Sequence, residues 1–220
     1  MTFHFISIFP KIFDSYLQEG IMKRALAKRA IKVKIHNLRD WTNDKHKSVD
    51  DTPYGGGAGM LMKIEPFFKA LQDIKKKNRT KKIRIILLSA GGQSWTQALA
   101  KKYRRYEEII FICGRYEGVD ARIKNFIDDE ISIGDYVLTG GELPALVIAD
   151  SISRLLPDVL GNKDSAVDES HSQPGILEYP QYTKPEIFQA GRKKYPVPSV
   201  LLSGNHQAID SWCQDQRRKK

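Results

Sequence analysis

The stretch Ile109-Ile110-Phe111-Ile112-Cys113-Gly114-Arg115-Tyr116-Glu117-Gly118-Val119-Asp120 decides the fold class. Its first five residues are apolar without interruption and three are β-branched, which predicts a strand covered on both faces. A glycine-containing, charged loop follows at once. In α/β sheets ligands bind at loops that leave the C-terminal ends of strands. The spacing Gly114-x-x-x-Gly118 does not make the Gly-x-Gly-x-x-Gly fingerprint, so a nicotinamide cofactor is disfavoured. Arg115, Glu117, Asp120 and Arg122 crowd this loop, either as a salt-bridged surface or as a polar site.

Outward from this stretch, strand-like and helical patterns alternate. Residues 3–9, 31–35 and 83–88 read as strands, and residues 21–30, 64–75, 96–106 and 143–156 as helices. Pro144 is tolerable in the first turn of its helix. Such alternation implies a mostly parallel sheet with helices on its faces. After Gly161 the character changes. Residues 162–174 are polar, acidic and aperiodic, and read as a flexible linker. Residues 175–220 form a small, mainly helical, basic C-terminal domain, too small to bury much core alone.

The 220 residues carry 36 Lys+Arg against 26 Asp+Glu, a net charge of +10 that favours a polyanionic partner. Residues 1–161 are net +8, residues 162–183 net −3 and residues 184–220 net +5. Basic clusters at 75–82, 101–106 and 217–220 point to a phosphate-binding surface, or to solvated helix ends. Only Cys113 and Cys213 are present, which excludes a disulfide framework or a cysteine-based zinc site and fits the cytoplasm. No run of about 18 apolar residues occurs, so no membrane span is expected. The N-terminus lacks a basic n-region and runs straight into a strand pattern, so no signal peptide is read.

Two further glycine-rich segments carry the reading. Pro53-Tyr54-Gly55-Gly56-Gly57-Ala58-Gly59 allows close backbone approach to a phosphate or a base, and reads equally as a flexible hairpin. Ser132-Ile133-Gly134-Asp135-Tyr136-Val137-Leu138-Thr139-Gly140-Gly141-Glu142-Leu143-Pro144 runs from a strand, through glycines, into a helix N-terminus. Its backbone amides could hold a base edge and a ribose, with apolar side chains about the ring.

Together these segments resemble the signatures of the bacterial tRNA (guanine-N1)-methyltransferase family, as do Val49-Asp50-Asp51-x-Pro53-Tyr54-Gly55-Gly56-Gly57 and Leu201-Leu202-Ser203-Gly204-Asn205-His206. The resemblance is collinear over nearly the whole chain. It implies a SPOUT-class α/β fold with a trefoil-knotted parallel sheet (residues 1–161), and a homodimer. It also implies methyl transfer from S-adenosylmethionine to N1 of the guanosine just 3′ of the anticodon (tRNA position 37). The methyl donor is assigned to Ser89, Ala90, Gly114, Tyr116, Glu117, Ile133, Gly134, Asp135, Tyr136, Val137, Leu138, Gly140 and Gly141. The tRNA side falls to Asp50, Gly55, Gly56, Gly57, Gly59 and Ser165, and the family's assisting arginine to Arg154. The catalytic carboxylate, usually an aspartate, aligns with Glu169, and Asp168 is the competing choice. The resemblance leaves room for Mg²⁺, without a metal-ligand set in the residues.

Two departures stand out. Ser89-Ala90-Gly91-Gly92 replaces the usual Ser-Pro-Gln-Gly, which loosens that loop. The C-terminal domain, ending at Lys220, is shorter than the family leads one to expect. The chemistry agrees with the assignment, because guanine N1 bears a proton that a carboxylate must remove before it can attack. Negative charge then develops toward O6, where an arginine would stabilise it. A knotted methyltransferase acting on rRNA or a ribose hydroxyl, and a non-catalytic RNA-binding relative, are the alternatives.

Overall fold

The apolar run at 109–113 forms the central strand of a five-stranded parallel sheet, and every residue of that strand is buried. The computed structural model describes residues 1–78, 80–161 and 169–219. The candidate residues Ser165 and Asp168 lie outside the described residues. The chain divides into two units, Met1–Lys163 and Asp164–Lys220.

The first unit runs β1 (Thr2–Ser7), α1 (Asp14–Leu17), α2 (Gly20–Ala27), β2 (Lys32–Asn37), β3 (Asp50–Asp51), β4 (Leu61–Met62), α3 (Ile64–Lys77), β5 (Ile83–Ser94), α4 (Gln97–Tyr103), β6 (Glu108–Cys113), β7 (Asp129–Ser132) and α5 (Glu142–Ser153). The sheet order is β2-β1-β6-β5-β7, with Thr2 opposite both Lys32 and Glu108, and Ile83 opposite Glu108. The alternation of strands and helices along the chain thus yields the parallel α/β sheet it predicts.

Pleating sends alternate side chains of β6 into two cores. Ile109, Phe111 and Cys113 pack with Phe3, Phe5 and residues of α2, α4 and α5, among them Met22, Ala100 and Ile148. Ile110 and Ile112 pack with Ile6, Leu38 and the inner face of α3, Phe67, Leu71 and Ile74. Helix starts follow local chemistry: the Thr96 hydroxyl accepts from the Leu99 amide at 3.3 Å and begins α4.

β5 extends well past the predicted 83–88. Its pairing with β7 jumps from Leu88 opposite Ile131 to Gln93 opposite Ile131, so residues 89–92 bow out of the sheet. Gly92 permits the return, since a Cβ there would lie 2.5 Å from the Ile131 nitrogen. Gly91 has only the Ser89 hydroxyl near, at 3.9 Å. Gly91→Ala is therefore expected to leave the melting temperature unchanged or raise it slightly. Gly92→Ala forces backbone apart and should cost about 1–3 kcal/mol. Equal melting temperatures for the two variants would refute this account.

The second unit holds β8 (Ile176–Leu177), β9 (Ile187–Ala190), β10 (Lys193–Pro196), α6 (Ser199–Leu202), α7 (His206–Asp215) and β11 (Arg218–Lys219). It is mixed rather than mainly helical: β9 and β10 pair as a hairpin and β8 pairs with β11, both antiparallel. Gly191 at φ +59° supplies the hairpin turn. Among its described residues none is fully buried. Among the described residues this unit carries no closed core of its own.

Candidate active site

Three strand ends and the helix that follows them enclose a cavity of about 400 Å³. Leu88, Ser89 and Ala90 reach it from β5, residues 114–119 from the loop after β6, and residues 132–134 and 136–141 from the end of β7 and the loop after it. The donor residues expected from sequence, Ser89, Ala90, Gly114, Tyr116, Glu117, Ile133, Gly134, Tyr136, Val137, Leu138, Gly140 and Gly141, all line it. Asp135 does not. The Tyr136 amide closes a tight turn onto the Gly134 carbonyl at 2.9 Å, which leaves Asp135 exposed at the apex.

Glycines make the floor. A Cβ on Gly141 would stand 2.8 Å from the Cys113 Cα and 3.0 Å from the Leu88 Cβ, while its amide donates to the Gly114 carbonyl at 2.9 Å. The rim is apolar and open, with Val137 86% and Tyr136 53% exposed. Glu130 accepts from Lys124 at 2.7 Å, and Lys124 with the Ser89 hydroxyl holds its carboxyl below the usual range. A flat ring on a glycine floor, with carboxylates near a cationic end, suits S-adenosylmethionine. Gly141→Ala is expected to abolish measurable donor binding by calorimetry, because a methyl there meets the Cys113–Gly114 backbone on one side and the Leu88 side chain on the other.

Beneath the cavity lies a buried polar cross-link. Glu142, whose side chain is 1% exposed, accepts from Arg115 Nε at 2.9 Å and from the Ser7 hydroxyl at 2.5 Å. Arg115 also donates to the Thr139 carbonyl at 3.3 Å and stacks over the Phe9 ring at 4.8 Å. Gly140 lies flat against this guanidinium, where a Cβ would approach Nε to 2.2 Å. One ion pair thus ties the end of β1, the loop after β6 and the first turn of α5 together. Burial, and then Glu142, pushes the neighbouring Cys113 thiol up, so it is no nucleophile.

The loop of Gly55, Gly56, Gly57 and Gly59 is joined to the cavity wall. All four glycines have positive φ. A Cβ on Gly59 would meet the Glu117 carboxylate at 2.6 Å, and the Glu117 amide donates to the Met60 carbonyl at 3.0 Å. Asp50 sits at the base of this loop, paired in register with Met62. Asp120 and Arg122 form the salt-bridged alternative, 2.5 Å apart, while Arg115 belongs to the polar core. Arg154 caps the far end of α5, about 18 Å along the helix from the cavity. Glu169 is half-buried in the second unit, its carbonyl accepting from the Ser172 amide at 2.9 Å. Among the described residues no group of three or more His, Cys, Asp or Glu could hold a metal ion.

The family model described as tRNA (Guanine-1)-methyltransferase TrmD matches residues 1–220. A tRNA (guanine-N(1)-)-methyltransferase of Dictyoglomus turgidum is 51% identical over 98% of this chain and 84% of its own length. That of Clostridioides difficile is 50% identical over 98% and 92%, and that of Pediococcus pentosaceus 48% over 100% and 88%. The chain belongs to this family. For a tRNA (guanine-1)-methyltransferase the residues that sequence reading missed are Ser7, Arg115 and Glu142 as a unit. Arg115 stood out as a polar-site candidate, but its partner lies in another motif and Ser7 in a third. Lys124 and Glu130 also line the cavity and carried no sequence signal, while Thr139, within the quoted 132–144 segment, lines it as well.

Proposed function

We propose that this protein methylates N1 of the guanosine just 3′ of the anticodon of tRNA, with S-adenosylmethionine bound in the cavity between β5, β6 and α5. The observation that carries the reading is the glycine-floored cavity, in which twelve of the thirteen residues expected for the donor converge. Bound there, S-adenosylmethionine supplies an electrophilic methyl group. The chain's own residues do the rest. The Gly114–Gly141 backbone contact and the Arg115–Glu142 pair fix the floor, so that positioning supplies much of the rate. Glu169 accepts the N1 proton as the new N–CH₃ bond forms and the S–CH₃ bond breaks. Arg154 stabilises the charge developing at O6.

Since Arg154 stands at the far end of α5, a homodimer in which a second copy supplies it accounts for the separation. Leu143 and Val147, 59% and 48% exposed one turn apart on α5, with exposed Phe9 and Tyr16, offer the apolar face such a pair would cover. The trefoil knot belongs to the same proposal, as what membership of this family implies. Among the described residues no helix is long and apolar enough to cross a membrane. A tRNA substrate places the reaction in the cytoplasm.

The test is transfer of labelled methyl from S-adenosylmethionine to tRNA, and to the same tRNA with the guanosine beside the anticodon replaced. Methylation of the first alone is expected. Equal labelling of both would move the target elsewhere. Affinity for tRNA should fall steeply with salt while donor affinity barely moves, because phosphate contacts release counterions.

A further inference from the structure

In a parallel sheet each crossover helix runs back toward the edge where the strands begin, so helix C-termini gather there. Backbone bonds mark that edge: the Glu107 amide to the Lys82 carbonyl at 2.9 Å, Thr2 to Glu107 at 2.8 Å, and Lys32 to Met1 at 2.9 Å. α2, α3 and α4 all end beside it.

The charge that arrives with them is one-sided. α3 ends in Lys75, Lys76 and Lys77, and Lys81 and Lys82 precede β5. Arg29 and Lys32 follow α2, and Arg104 and Arg105 follow α4. All are exposed. The carboxylates at this edge are fewer and engaged: Glu107 accepts from Lys81 Nζ at 3.2 Å and from the Lys82 amide at 2.9 Å, Glu108 is buried against His4, and Asp128 and Asp129 pair with Arg84. Lysines in a last helical turn complement the helix dipole, but Lys32, Lys81, Lys82 and Arg105 lie outside any helix, where that role ends.

We propose that this edge is a second RNA-binding surface, one that grips the phosphate backbone of double-helical RNA. It lies opposite the cavity: the six residues of β6 at about 3.3 Å each separate the two by roughly 20 Å. It therefore adds to the proposed methyl transfer, and rests on that reading only in taking RNA as the partner class. The edge does not read bases. Its rings, Tyr103 and Tyr106, are buried, with Lys82 and Arg105 stacked over Tyr106 at 5.7 and 5.3 Å, which leaves cations outermost. Single-stranded RNA is held by exposed rings that stack on bases, duplex RNA by phosphates. A membrane surface fits less well, since basic membrane-binding faces carry apolar side chains that insert. The large exposed apolar groups of this unit, such as Phe9, Tyr54, Val137 and Leu143, lie on other parts of it.

The test uses the full chain and a short RNA duplex of mixed sequence without an anticodon loop, followed by fluorescence anisotropy across a salt series. The unmodified protein should bind it with a steep salt dependence. Lys75→Glu/Lys76→Glu/Arg104→Glu should weaken that binding at least tenfold and flatten the log–log salt slope by about 2–3, since each phosphate contact contributes about 0.9. Affinity for S-adenosylmethionine should be the same in both proteins. If the charge-reversed protein loses donor binding, Lys75→Ala/Lys76→Ala/Arg104→Ala carries the same prediction at smaller size. No duplex binding by the unmodified protein overturns the proposal. So does duplex binding that the substitutions leave unchanged, or binding confined to phosphatidylserine vesicles. Failure of the unmodified protein to bind S-adenosylmethionine would strike the proposed methyl transfer and not this edge, which the duplex titration alone decides.

Discussion

Glu169→Gln is expected to lower methyl transfer by about 10²–10⁴-fold while leaving S-adenosylmethionine affinity intact. Guanine N1 is not a nucleophile while it carries its proton, and glutamine has nearly the shape of glutamate without its capacity to accept that proton. The loss should therefore fall on the chemical step, visible in single-turnover transfer with saturating tRNA. Glu169→Asp restores the residue usual in the family and should retain much of the activity. Full activity in Glu169→Gln, with loss in Asp168→Asn, would move the base to the neighbouring residue.

The largest loss of stability is expected from Arg115→Met. Glu142 is buried, and Arg115 supplies its countercharge. Removing one partner of a buried ion pair leaves an uncompensated charge and costs about 3–5 kcal/mol, whereas removing both can be nearly neutral. Arg115→Met/Glu142→Gln should accordingly recover most of what Arg115→Met loses in urea unfolding. A deficit that the double variant does not recover would mean that packing of the arginine over Phe9 carries the effect. Donor affinity should fall in the single variant too, because Arg115 holds Thr139 and lies flat against Gly140.

Much of the architecture is legible from local patterns. The apolar run at 109–113 has no polar face, and only the centre of a sheet covered on both sides accommodates that. α3 repeats its apolar residues at helical spacing and buries Phe67, Leu71 and Ile74 as that spacing requires. The extension of β5 beyond residue 88 is not legible, since Ser89-Ala90-Gly91-Gly92 reads as a turn and becomes a bulge only when β7 lies alongside. The hairpin in the second unit is hidden for a related reason: four-residue strands are too short to show a period.

Sequence by itself determined the parallel α/β class, the three glycine-rich loops of the candidate site, the family resemblance and the excess of positive charge. These are properties of spacing and composition, which local sterics and the hydrophobic effect read directly. Tertiary structure alone decided which charges meet. Ser7, Arg115 and Glu142 are far apart in the chain and are joined because the register of β1 against β6 and the entry of α5 bring their polar atoms to one buried point. The parallel order of the sheet likewise collects the lysine clusters at the opposite edge. Partner choice depends on which elements are neighbours in space, and no local pattern encodes that.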